Sequence, residues 1–316
     1  LGGHLDVRCS YNYIQVEASA KPEFLLQMLE TVAGAVSSPP IDKPTTITLR
    51  DAQIEKVKQL EADAAYIAER AVAKRLLGDF PYGRPTMGTV ASLQKIDYAD
   101  LVDARQRFLT ADNATITLSG NFDRKYAFLA IRRLLGPWQK SDRKVPSTFR
   151  QPDDPPAAVM TIPSPKPDAW AMRMAMRGVA RSDKDFAASL VFAAVVESRL
   201  KAAVPAANAA DVTVVSETHV LPGMIWIGFG PSGKTGATTN VEANEIVPKA
   251  LAAPITAAEF QAALPELKAA WSRRATEATW LDLDTFRIGS LEGYRSSFDS
   301  VTLADVNAFA DKARKR

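Results

Sequence analysis

Cysteine occurs once, as Cys9, so the chain forms no disulfide within itself and its redox compartment is not written in its thiols. Histidine occurs twice, at His4 and His219, and neither has a second histidine four residues away. A zinc site of the helical kind, with both histidines on one face, therefore has no local basis in these residues. Aromatic residues make up only 8% of the 316 residues. No apolar run approaches the roughly 18 residues needed to span a membrane as a helix. Excess charge is also lacking: the formal net charge is +3, with acids and bases interspersed. That balance describes an ordinary solvated surface. A nucleic-acid partner would require a basic stripe, and the only basic cluster is the terminal "DKARKR". No signal peptide opens the sequence: "LGGHLDV" reads instead as the interior of a domain, a turn feeding a strand, as a processed fragment would.

What is present is a 47% hydrophobic composition, ample for buried cores, in a chain longer than one typical domain. Residues 4–19 alternate like a strand pair, with "SYN" as a turn. Phe24, Leu25, Met28, Leu29, Val32 and Val36 recur at helical spacing, with Pro22 at the start and Pro39-Pro40 at the end. Residues 48–77 form a long charged helical stretch, expected as two helices. Asp97 is positioned to cap a helix over 98–109. "NATITLSGNF" (113–122) is expected as a strand.

From Gly136 to Pro156 proline and charge dominate and periodicity disappears, so a boundary is placed there. Strands are expected at 157–165, 168–180, 211–218 and 223–229. Helices are expected at 183–204, 240–252, 256–278, 280–293 and 302–314.

The two halves repeat. Ala99-Asp100-Leu101 matches Ala304-Asp305-Val306 at an offset of 205, and Pro40-Ile41 matches Pro254-Ile255 at 214. Similar offsets in the same order imply an internal duplication. On that basis the counterparts of 157–165, 168–180 and 183–204 would precede Leu1. The loop "LLGDFPYGRPTMGT" (76–89) carries no acid, base or ligand pattern. Gly78 permits a helix stop, Pro81 and Pro85 fix the path, and Phe80 and Tyr82 are its anchors. "GPSGKTGATT" (230–239) contains Gly-Lys-Thr without the glycine spacing or the strand-to-helix context of a phosphate loop, and is expected as a flexible loop.

Five stretches, "LGGHLDVRCS", "LETVAGAVSSPPID", "LLGDFPYGRPTMGT", "LVDARQRFLTADNATITLSGNFD" and "GVARSDKDFAASLVFAAVVESRL", together resemble insulinase/pitrilysin-type zinc metallopeptidases along essentially the whole chain. The resemblance implies an α+β fold of two tandem insulinase-like units, each a mainly antiparallel sheet with helices packed on one face. The first unit (1–145) would be incomplete at its N-terminus, followed by a linker (146–156) and a second unit (157–316). In that family an inverted H-x-x-E-H motif on the first helix binds zinc and activates water, and a later helix supplies a glutamate ligand. The first helix would lie before Leu1. The ligand position falls at Lys56, with Glu55 as the adjacent candidate. The family's arginine and tyrosine, which bind the substrate carbonyl and oxyanion, fall at Pro205 and Val212, neither of which has a donor side chain.

The resemblance therefore implies a non-catalytic unit with no catalytic residue and no cofactor of its own, zinc belonging to the catalytic members. Such a unit would help enclose peptide, or unfolded polypeptide, beside a catalytic unit or within a homo-oligomer. Peptide would add as a strand along Leu5, Asp6, Val7, Arg8, Cys9 and Ser10. Two alternatives stay open: a fragment of an active zinc endopeptidase whose H-x-x-E-H lies before Leu1, and a scaffold subunit. Resemblance to bacterial secreted members implies a periplasmic or secreted location.

Overall fold

The computed structural model describes residues 2–141, 149–167, 169–230 and 236–314. In chain order the elements are β1 (His4–Cys9), β2 (Ile14–Ser19), α1 (Leu25–Ser37), α2 (Lys43–Leu60), α3 (Ala64–Leu77), α4 (Val90–Leu93), α5 (Tyr98–Phe108), α6 (Arg124–Leu135), β3 (Met172–Arg177), α7 (Phe186–Ala203), β4 (Val212–Glu217), β5 (Met224–Phe229), α8 (Gly236–Ala252), α9 (Ala257–Ser272), α10 (Thr276–Thr285), α11 (Leu291–Arg295) and α12 (Leu303–Arg314). The chain is α+β, with small antiparallel sheets among many helices. It divides into two compact units: residues 1–57 with 86–148, and 58–85 with 149–316. The long charged stretch does break into two helices, and α3 with its following loop belongs to the later unit.

In the first unit β1 and β2 form an antiparallel hairpin, with His4 opposite Ser19 and Cys9 opposite Ile14. Ser10 closes it: its amide donates to the Tyr13 carbonyl at 2.9 Å, and its hydroxyl accepts from the Asn12 and Tyr13 amides. Gly3 lies so near the opposite strand that a Cβ there would stand 2.4 Å from the Ser19 carbonyl oxygen. Helices α1 and α6 share an apolar cluster built on Leu25, Leu29, Ala127 and Ala130. Asp97 caps α5 as its position implied, accepting from the Ala99 and Asp100 amides.

In the second unit three antiparallel strands run in the order β3-β5-β4. Val212 and Met172 both stand opposite Phe229. Helix α7 packs on β4, and α3 packs on β3. Ten residues of α7 are buried, including Phe192, Val195 and Val196. Residues 186–196 carry no charge on any side of the helix, as suits an interior position, and α7 contributes the largest share of the bigger core.

The structure departs from the sequence pattern at several elements. Residues 114–119 enter no ladder among the described residues, and Ile116 is exposed. Residues 157–165 likewise form no strand, and Val159 is 81% exposed. β-propensity without a partner strand does not make a sheet. Helix α6 was not anticipated, although Asp123 caps it by accepting from the Tyr126 amide. The region 256–293 holds three helices rather than two, broken after Ser272 and again before Ser290. Of the loop expected at 230–239, residues 231–235 lie outside the described residues and 236–239 are instead the first turn of α8; residues 142–148 of the proline-rich boundary also lie outside the described residues.

Candidate functional site

The edge of β1 can be read from the hairpin register. Ser10 and Tyr13 form a hydrogen-bonded pair, and such pairs alternate along an antiparallel ladder. Arg8, Asp6 and His4 therefore turn their main-chain groups toward β2, whereas Cys9, Val7 and Leu5 turn theirs to the outer edge. Among the described residues that edge has no strand partner. Leu5 and Val7, on one face, are 44% and 59% exposed, and no residue on either face of β1 is buried. Arg8 is engaged: its Nε donates to Asp6 Oδ2, and that carboxylate raises the already high pKa of the guanidinium. The pair cancels locally, removing the acidic bias that Arg8 alone would give the edge.

Glu55 and Lys56 are both exposed on α2. Ile54 and Val57 on the same helix turn inward and pack with Leu93, Met87, Val90 and Ile96. A helix advances about 100° per residue, so burying 54 and 57 directs 55 and 56 outward. Pro205 precedes a short 3-10 turn, and Val212 opens β4 with its side chain in the core. Neither position offers a side-chain donor. His4 lies in the first unit and His219 in the second. Among the described residues no three His, Cys, Asp or Glu side chains gather into a group able to hold a metal ion.

The loop after α3 is an anchor. Gly78, at φ +56°, ends the helix, and its amide donates to the Lys74 carbonyl. Phe80 and Tyr82 are buried, as their aromatic character implied. Tyr82 Oη accepts from the Leu221 amide at 2.9 Å, and its ring lies 4.3 Å from that of His219. Arg70 Nη2 donates to the Gly83 carbonyl at 2.7 Å.

Several charged groups in the second unit escape sequence reasoning because their partners are distant in the chain. Arg199, in "ESRL", makes a two-pronged pair with Glu259 (2.6 and 2.8 Å) and donates to the carbonyls of Ala250, Ala253 and Pro254. The guanidinium holds the Glu259 carboxyl down to about 2. Arg181 donates to Tyr294 Oη at 2.7 Å and Asp282 Oδ2 at 3.2 Å, and stands 4.5 Å from the Phe186 ring and 4.8 Å from Trp271. Burial chiefly pushes the Tyr294 hydroxyl up to about 12. Burial, then the nearby Glu217 charge, raises the Glu69 carboxyl above its ordinary value, and burial lowers the Arg173 guanidinium.

The fold is the α+β arrangement of small antiparallel sheets and helices that the insulinase resemblance implied. The peptidase M16 inactive domain family matches residues 95–264, more than half of the chain, and the chain belongs to that family. No curated protein matches the sequence. Among solved structures, the peptidase M16 inactive domain from Pseudomonas fluorescens is similar over 99% of this chain and 78% of its own, with a TM-score of 0.80 and 18% identity. A protease from Helicobacter pylori is similar over 98% of this chain and 79% of its own, with a TM-score of 0.79 and 15% identity. The periplasmic protease PqqL from Escherichia coli is similar over 99% of this chain but 36% of its own, with a TM-score of 0.74 and 16% identity. The chain is thus a non-catalytic M16 unit.

Proposed function

We propose that this unit binds peptide or unfolded polypeptide as an added strand on β1 and helps enclose it beside a catalytic M16 unit, which would be a separate chain, a further domain or a second copy. The observation that carries the reading is the outer edge of β1. Leu5, Val7 and Cys9 present main-chain donors and acceptors there, with no strand partner among the described residues. An open edge recognises main chain and needs no catalytic side chain. Zinc belongs to the catalytic partner in this reading. A periplasmic setting follows the likeness to a periplasmic protease, and no helix among the described residues is long and apolar enough to cross a membrane. The order hairpin, helix, helix recurs as β1-β2-α1-α2 and β4-β5-α8-α9, which supports the tandem-unit reading.

The test is titration of an unstructured peptide, acetylated and amidated so that only its main chain and side chains are offered. Val7→Pro removes one outward donor without touching the amides that face β2. Binding by the native chain that falls about tenfold or more in Val7→Pro, with an unchanged circular dichroism spectrum, is expected for loss of one strand-addition hydrogen bond and its neighbours. Equal binding by both chains, or by neither, removes β1 as the peptide site.

A further inference from the structure

In the sequence the basic residues of 124–133 stand as two separated pairs, Arg124-Lys125 and Arg132-Arg133, and do not read as a cluster. Helix α6 brings them onto one surface. At about 100° per residue, seven residues return almost to the same stripe, so Lys125 and Arg132 stand in line, about 10 Å apart along the axis. Phe128 and Leu129 fall between them, about 60° to one side of that line and about 40° to the other. Arg124 and Arg133 flank its two ends. The opposite side of the helix carries Ala127 and Ala130, buried in the cluster shared with Leu25 and Leu29 of α1.

The outward face combines two kinds of unanswered group. Its largest apolar side chains stand in water: Phe128 is 64% and Leu129 54% exposed, and Tyr126 is exposed as well. All four cations are exposed, and α6 contains no acidic residue. Among the described residues none of the four cationic side chains makes an ion pair or a hydrogen bond. The cluster that is obvious in the sequence, at the end of the chain, is by contrast spent: Lys312 pairs with Asp185 and Arg314 with Asp311. On α5, Arg107 is likewise answered by Asp103. Bulky apolar side chains set between unpaired cations on one exposed helix face are the pattern of a surface-seeking helix.

We propose that the outward face of α6 docks on an anionic lipid surface, the helix lying along it with Phe128 and Leu129 entering the acyl boundary and Lys125 and Arg132 on lipid phosphates. Exposed apolar side chains are stabilised by a dry medium and cations by anions, and the headgroup boundary of an anionic bilayer offers both within the reach of one side chain. A nucleic acid offers the phosphates without the apolar layer. The face is the convex side of a single helix, so a flat partner meets it without a complementary groove. Two inserted side chains and four cations make a weak, reversible attachment. The contact is peripheral and does not use the β1 edge.

The experiment is co-flotation of the full chain with phosphatidylcholine vesicles and with vesicles of equimolar phosphatidylcholine and phosphatidylglycerol. Binding to the anionic vesicles is expected to be at least about tenfold stronger and to fall as salt is raised. Arg132→Gln together with Arg133→Gln, both surface changes, is expected to weaken it severalfold while leaving the melting temperature unchanged. Phe128→Gln is expected to weaken it while leaving its salt dependence in place. Phe128→Trp should add a blue-shifted emission component on anionic vesicles, quenched by brominated acyl chains. No vesicle binding, equal binding to the two compositions, no effect of the double charge change, or no blue shift from Phe128→Trp overturns the inference. Poly-glutamate bound more tightly than the anionic vesicles, and released by the same double change, assigns the face to an acidic polypeptide and overturns the lipid assignment. Val7→Pro should leave vesicle binding unchanged, and a loss there would place the contact on the β1–β2 hairpin instead of α6.

Discussion

Arg199 joins α7 to the end of α8 and the start of α9 through one guanidinium. It pairs with Glu259 and satisfies the three carbonyls of Ala250, Ala253 and Pro254. Arg199→Ala strands all of these, so a loss of about 3 kcal/mol is expected in chemical denaturation. The pH dependence follows from Glu259, whose folded pKa of about 2 lies below its ordinary value of 4.5. A depressed carboxylate stabilises the fold above the ordinary value and loses that contribution as pH falls from about 4.5 toward 2. Glu259 is 32% exposed, so solvent screening limits the loss to about 1 kcal/mol. The pH slope of stability should be shallower over that range in Glu259→Gln, and an identical slope would exclude the pair as its source. At Glu55, the candidate ligand position that the family resemblance implies, equilibrium dialysis is expected to leave the chain without stoichiometric zinc, because Glu55 is exposed and no group of His, Cys, Asp or Glu able to hold a metal gathers among the described residues. Tight binding that vanishes in Glu55→Gln would instead make that residue a ligand.

Helix α7 carries the larger core. Phe192 is 2% exposed and meets Phe309 of α12 edge-on at 5.5 Å. Phe192→Ala should cost about 3–5 kcal/mol, read as a shifted urea midpoint with little change in slope. Helix α3 depends instead on its start. Asp63 Oδ1 accepts from the Ala65 and Tyr66 amides at 2.7 and 3.0 Å. Asp63→Ala should cost about 1 kcal/mol, and Asp63→Asn much less, since an amide oxygen can take over the cap. The Asp97 cap is legible in the sequence because it bridges only two or three residues. The Asp63 and Asp123 caps are equally local, but one lies inside a long charged helical stretch and the other follows a segment of strand-like composition, so neither stands out. Residues 113–122 and 157–165 were read from composition, and composition does not supply the neighbouring strand that a ladder requires.

Across the molecule, protection from exchange should be uneven. The β1–β2 hairpin is two-stranded and largely exposed, and such pairs are marginal by themselves. The amides of α7 sit in the larger core of the second unit. Hydrogen exchange is expected to be on the order of a hundredfold faster in β1 and β2 than in α7. Saturating blocked peptide should slow the outward amides of Leu5, Val7 and Cys9 specifically. Equal protection of hairpin and α7 without peptide would show that the β1 edge is already covered, and would leave no open strand to extend.

By itself the sequence determined the α+β class, most helices, the Asp97 cap, and which residues stand at 55, 56, 205 and 212. Periodicity, capping and side-chain chemistry are local, and Lys56, Pro205 and Val212 lack the required donors or ligands in any conformation. Only the tertiary structure decided which extended segments became strands, because a ladder depends on a second segment. It alone decided that α3 and its loop join the later unit, that Arg8 is spent on Asp6, and that Arg199 gathers Glu259 and three carbonyls. Each of those depends on a burial or a partner set by packing, which no local pattern encodes.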